Sequence, residues 1–83
     1  MKIEILGTGC QKCKKLYAEA EQAIAASGAD VEIEKIEAID DIAKYGVMLT
    51  PALIIDGEVK ASGRIASASE ILSWIAAELN ENR

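Results

Sequence analysis

Residues 11–27 carry an apolar stripe at helical spacing, with a short β-type run on either side. Leu16, Ala20, Ala23, Ile24 and Ser27 share one helix face. Cys13 extends that face at its start, while alanine and glutamate fill the remainder. Before it, residues 2–6 (Lys-Ile-Glu-Ile-Leu) read as a strand with Ile3 and Ile5 on one side, broken by Gly7-Thr8-Gly9. After it, Gly28 is a stop signal and residues 31–36 read as a second strand. Two strands joined through a helix are expected to lie parallel, with a right-handed crossover. The charges of the second strand suit an edge, where lysine and glutamate discourage unwanted pairing.

The second half reads differently. A short helix over about 39–45 ends at Gly46. Pro51 precedes a strand, Ala52–Ile55, and Asp56-Gly57 is a hairpin turn returning through Glu58–Ala61. The last helix is expected from Ser67 to Asn80. Ser67 and Glu70 have capping-box spacing, and Ala68, Ile71, Leu72, Ile75 and Leu79 form the stripe to be buried. The expected fold is α/β, in the order β-α-β-α-β-β-α: a four-stranded mixed sheet with helices on both faces.

With 83 residues, the chain is expected to form a single domain over 1–83. A domain of this size buries only about 60–65% of its unfolded surface. The core is aliphatic and alanine-rich, since 51% of residues are hydrophobic but only one Trp and two Tyr are present, with no Phe. The formal net charge of −5 argues against nucleic acid or an anionic membrane as the main partner, because both need a basic footprint. Lys12, Lys14 and Lys15 are a local exception around the cysteines. Residues 1–6 have no long apolar core, and no segment approaches a bilayer span, so a cytoplasmic location is expected.

Cys10 and Cys13 are the two cysteines. The loop they would close is too short to staple a fold, so the pair points to catalysis or metal binding. Cys10 stands where the glycine loop becomes a helix. The partial positive charge and free N–H groups there favour a thiolate, and Lys12 and Lys14 add to the effect. A thiolate is the species that attacks disulfides. Cys13 lies nearly one turn further on, a spacing compatible with a disulfide. This makes Cys10 the exposed nucleophile and Cys13 the resolving thiol. Gly7-Thr8-Gly9 lacks the third glycine of a dinucleotide loop, because position 12 is lysine, and it reads as a flexible turn.

The segment Gly9-Cys10-Gln11-Lys12-Cys13, the later Thr50-Pro51 and the Asp56-Gly57 hairpin resemble the thioredoxin-like superfamily over nearly the whole chain. The nearest likeness is to the small redox-active disulfide proteins of bacteria and archaea, with a glutaredoxin-sized fold. The resemblance implies a protein disulfide oxidoreductase that works through a reversible Cys10–Cys13 disulfide without a further cofactor. Its implied partners are disulfide-containing proteins and an electron-donating reductase or thiol, and the protein itself is expected to be a monomer. The resemblance also implies a cis-proline at Pro51 and substrate contact by the backbone at Thr50. From sequence alone, a trans proline at strand entry is the alternative.

Some positions depart from the family pattern. Gly9 stands where an aromatic residue is usual, and Gln11-Lys12 lies between the cysteines. Ser62-Gly63-Arg64 followed by Ser67 matches a glutathione-holding segment poorly. Glu4 lies six residues before Cys10, the offset at which thioredoxin carries a buried acid that helps deprotonate the resolving cysteine. The alternative for Glu4 is a solvated strand end paired with a lysine. Trp74 lies off the main stripe of the last helix and is expected to pack half-buried.

A soft-metal module of the copper-chaperone kind is the competing function. Gly7-Thr8-Gly9-Cys10-Gln11-Lys12-Cys13 satisfies its Gly-x-x-Cys-x-x-Cys entry, and two thiolates would suit Cu(I). Such modules follow β-α-β-β-α-β and have no need of Thr50-Pro51. A structural zinc is weaker still, because it wants four ligands and the chain has no histidine.

Overall fold

The computed structural model describes residues 1–81. Its elements run β1 (Lys2–Leu6), α1 (Gln11–Ser27), β2 (Glu32–Ile36), α2 (Ile39–Lys44), β3 (Ala52–Ile55), β4 (Glu58–Ser62) and α3 (Ala68–Glu81). The order is the one the periodicity predicts. The boundaries differ by a residue or so, as fraying ends usually do. The sheet order is β2-β1-β3-β4. β1 pairs parallel with β2 and antiparallel with β3, and β3 and β4 form the antiparallel hairpin. The charged β2 therefore lies at an edge, as expected.

Alternation along the strands divides the core between two faces. Ile3 and Ile5 of β1 and Leu53 and Ile55 of β3 pack against Leu16, Ala20 and Ala23 of α1 and Ile71 and Ile75 of α3. On the other face Leu6, Ala52 and Ile54 pack against Ile42 of α2. β3 is buried at every position because it lies between two strands and under helices on both sides. Each fully buried Leu or Ile contributes about 1.5–3 kcal/mol relative to exposure. Alanines at 20 and 23 let α1 come close to the sheet and to α3.

The turn at Asp56-Gly57 needs a left-handed backbone at both positions, with φ of 48° and 85°. This is the geometry that Asp-Gly supplies between twisted strands. Ser67 caps α3, its Oγ accepting the Glu70 N–H at 3.2 Å. The reciprocal half of the capping box is absent. The Glu70 carboxylate instead takes both guanidinium nitrogens of Arg64, each at 2.8 Å. A bidentate charged pair outcompetes a single bond to a backbone N–H. The Arg64 guanidinium also lies 6.0 Å from the ring centre of the half-buried Trp74. Leu79, expected in the buried stripe, is 42% exposed, so full burial along α3 ends at Ile75.

Candidate functional site

The site lies at the C-terminal end of β1. Cys10 is the N-cap residue of α1, with an extended backbone (φ −69°, ψ 168°). Its carbonyl accepts the Lys14 N–H at 3.0 Å, which opens the helix. Its sulfur accepts the Cys13 N–H at 3.3 Å, as a serine or aspartate oxygen would at this position. The sulfurs of Cys10 and Cys13 are 2.6 Å apart. Cys10 is exposed and Cys13 is buried.

This environment separates the two thiols chemically. The hydrogen bond from the Cys13 thiol, and after it that from the Cys13 backbone, hold the Cys10 thiol below its ordinary pKa. Burial, with the Cys10 hydrogen bond second, pushes the Cys13 thiol up. Proton sharing between neighbouring acids has this effect: the first ionisation is helped and the second is hindered. The exposed thiol is thus shifted toward ionisation and the buried one away from it.

Gly7 seats the buried sulfur. A Cβ at Gly7 would overlap the Cys13 sulfur, and it would stand 3.9 Å from the Pro51 Cα. The Gly7 N–H is anchored to the Ile36 carbonyl at 3.0 Å, so the loop cannot easily withdraw. In the sequence, Gly7 reads as part of a flexible turn. Its role here is close approach, and a glycine at a strand end just before the cysteine pair was the only signal.

The Thr50–Pro51 peptide bond is cis. Pro51 is fully buried, and its carbonyl accepts the Gly63 N–H at 2.9 Å. Thr50 is exposed, as are Met48 (94%) and Leu49 (62%) before it. Cys10, Cys13, Thr50 and Pro51, far apart in sequence, thus surround one end of the sheet, with Gly7 between Cys13 and Pro51.

Glu4 is placed differently. It is buried, at 8% exposed, as its position on a central strand predicts. Its carboxylate accepts a hydrogen bond from the Tyr45 phenol. Lys2, the lysine nearest in sequence, pairs instead with Glu34 at 2.7 Å. Strand alternation points Glu4 to the α2 face, with Leu6, while Ile5 takes the face that carries α1 and Cys13. Glu4 is also three residues, about 10 Å of strand, from Gly7. The offset of six residues from Cys10 therefore puts this acid on the sheet face opposite the one that carries α1 and Cys13. A period-two strand turns one residue of misalignment into the opposite face.

Among the described residues, no group of three or more His, Cys, Asp or Glu side chains is placed to hold a metal ion, and no helix is long and apolar enough to cross a membrane.

Residues 1–76 match the family model of the thioredoxin domain. A thioredoxin of Methanothermobacter thermautotrophicus is 46% identical over 71 residues, covering 86% of this chain and 92% of that protein. A thioredoxin of Methanocaldococcus jannaschii is 38% identical over 69 residues, covering 83% and 79%. Among solved structures, thioredoxin 1 of Thermosipho africanus superposes with a TM-score of 0.68 at 27% identity, over 100% of both chains. With a cysteine pair at the head of a helix, a cis-proline beside it and these relatives along most of its length, the chain belongs to the thioredoxin family and is a thiol–disulfide oxidoreductase.

Proposed function

We propose that the whole chain acts as one domain that reduces or exchanges disulfides in proteins, with Cys10 as the attacking thiolate and Cys13 as the resolving thiol. The observation that carries this reading is the asymmetry of the pair: the sulfurs are 2.6 Å apart, one is exposed with its pKa held below the ordinary thiol value by its hydrogen bonds from Cys13, and the other is buried with its pKa pushed up. Cys10 attacks a substrate disulfide, forming a mixed disulfide and releasing the first substrate thiolate. Cys13 then loses its proton and attacks the Cys10 sulfur. The Cys10–Cys13 bond forms, the bond to substrate breaks, and the second substrate thiolate leaves. The substrate gains two electrons and the cysteine pair loses two. An electron-donating reductase or thiol returns the pair to the dithiol.

Thr50 and Pro51 are the proposed substrate-binding residues. Burial of Pro51 beside Gly7 and the hydrogen bond from the Ser62 hydroxyl to the Leu49 carbonyl (2.9 Å) fix the segment, and the exposed Thr50 is accessible to an extended peptide. Trapping tests the division of labour. Cys13→Ser should accumulate covalent complexes with disulfide-containing proteins, and Cys10→Ser should not. Alkylation of the reduced protein at neutral pH should label Cys10 first. Trapping by Cys10→Ser, or equal alkylation rates, would show that the two roles are reversed or absent.

A further inference from the structure

Among the described residues, the lysine and arginine side chains away from the cysteines all have a partner. Lys2 pairs with Glu34, Lys44 with Asp41, Lys60 with Glu58 and Arg64 with Glu70, and the Lys35 ammonium lies 4.6 Å from the centre of the Tyr17 ring. Lys12, Lys14 and Lys15 make no ion pair and lie on no ring. All are exposed, and all stand in the first turns of α1, beside the exposed Cys10. Helix stability does not account for them. This is the positive end of the helix dipole, where acids are favourable and lysines are not, yet α1 has no acid in its first turn. Lys12 and Lys15 are three residues apart, which sets like charges side by side on the helix surface. Glu19, one turn beyond Lys15, makes no ion pair with it. The Cys10 thiol does not account for them either, because its hydrogen bonds from Cys13 are the leading influence on it.

We propose that Lys12, Lys14 and Lys15 are a docking surface for acidic protein substrates: carboxylates flanking the target disulfide meet this end of α1 as its sulfur meets Cys10. The proposal rests on the exchange at Cys10 and Cys13 and adds a substrate class to it. The chain as a whole has a net charge of −5 and repels an acidic protein from afar. At physiological salt that repulsion is screened beyond about 8 Å, so the charges beside the reacting sulfur decide the final approach. There the sign is reversed. Lys14 stands one turn from Cys10 on the same helix face, and it lines a cavity against Cys13 with Gly7, Gly9, Lys35 and Glu37. Glu37 is the acid facing that cavity, and Lys35 faces it too, so the balance with the α1 lysines stays positive. Asp40 and Asp41 stand on α2, which packs on the other face of the sheet. On the Thr50 side the exposed neighbours are Met48 and Leu49, which carry no charge. Selection by charge therefore falls to the lysines. Their ammonium groups are point charges on flexible stems, so they can follow carboxylates placed differently in different substrates, where a planar guanidinium would demand one geometry.

A peptide whose single cysteine is capped by thionitrobenzoate tests this. The Cys10 thiolate attacks the peptide sulfur, the bond to the cap breaks, and thionitrobenzoate leaves as a coloured thiolate. Two such peptides differ only in the residues flanking the cysteine, glutamates in one and lysines in the other. The readout is the ratio of their second-order rates with the reduced protein, glutamate peptide over lysine peptide. Any effect of a substitution on the thiolate itself cancels in that ratio. At low salt the wild-type ratio should exceed that of Lys12→Gln/Lys14→Gln/Lys15→Gln by about tenfold, the lower end of what local charge adds to association rates. The difference should shrink in concentrated salt, where the screening length falls to about 3 Å. The glutamine variant should melt no lower than the wild type, because it removes cations from the positive end of a helix. The same ratio in both proteins, or a difference that salt does not reduce, would overturn the docking surface. A variant that melts lower would show that the lysines serve the helix and would overturn it too. Release at the full wild-type rate by Cys10→Ser would instead refute the exchange reading beneath it, whatever the ratio.

Discussion

Replacing Gly7 by alanine tests whether the buried sulfur and the strand end share one tight contact. Gly7 is not among the residues with positive φ, so its backbone alone would accept a side chain. A Gly→Ala change at a compatible position stabilises by about 0.4–1 kcal/mol, because the unfolded chain loses freedom. Here the new Cβ would overlap the Cys13 sulfur and stand 3.1 Å from the Cys13 Cβ. Cys13 is buried at 6% exposed, and the Gly7 amide is tied to Ile36, so neither side has room to yield. Overpacking of this kind costs about 1–3 kcal/mol. For a domain of this size that is a fall in Tm of roughly 4–24 °C, at about 4–8 °C per kcal/mol.

Urea or thermal unfolding under reducing conditions measures the loss, and a double-mutant cycle with Cys13→Ala locates it. In the Cys13→Ala background the sulfur is gone and only the close Cβ pair remains. The residual crowding and the Gly→Ala gain then oppose one another, leaving an effect within about 1 kcal/mol of zero. The coupling energy should therefore recover most of the single-mutant loss. If Gly7→Ala costs the same with and without the sulfur, the seat described for Cys13 is wrong.

Tyr45→Phe removes the phenol that donates to the buried Glu4 carboxylate, and it should cost about 1–3 kcal/mol in urea unfolding, with Tyr45→Phe/Glu4→Met recovering part of it. The Glu4 hydrogen bond raises the Tyr45 pKa above 10. The stability from that link is complete below the unfolded tyrosine value and is lost as pH rises through the folded one. A phenol titrating late in ultraviolet absorbance should accordingly vanish in Tyr45→Phe. Exhaustive chelation should leave the circular dichroism spectrum and melting curve unchanged, because the core is aliphatic and the only two cysteines meet at the surface end of α1. Unfolding on chelation would favour the soft-metal reading.

Much of this protein is legible along the chain because its signals are local. The stripe from Cys13 to Ala23, the Asp56-Gly57 turn and the cap at Ser67 each depend on residues within a few positions. They specify α1, the hairpin and α3 almost to the residue. The charges of β2 likewise announce an edge. The Cys10–Cys13 pair is local too, since a three-residue spacing at a helix start is enough to bring two sulfurs together. What the chain does not announce is which side chains meet across the sheet. Glu4 and Ile5 are adjacent, yet packing of α1 and α2 on opposite faces sends one to Tyr45 and the other to Cys13's side. Glu37 reads as one more acid in a charged run until β2 pairs with β1 and carries it to the cysteine cavity. Gly7 reads as a turn until the Cys13 sulfur is laid against it. Short-range periodicity and capping determine the elements. Only their three-dimensional packing, which sets the face and distance of residues far apart in sequence, decides which acid, glycine and proline surround the reactive pair.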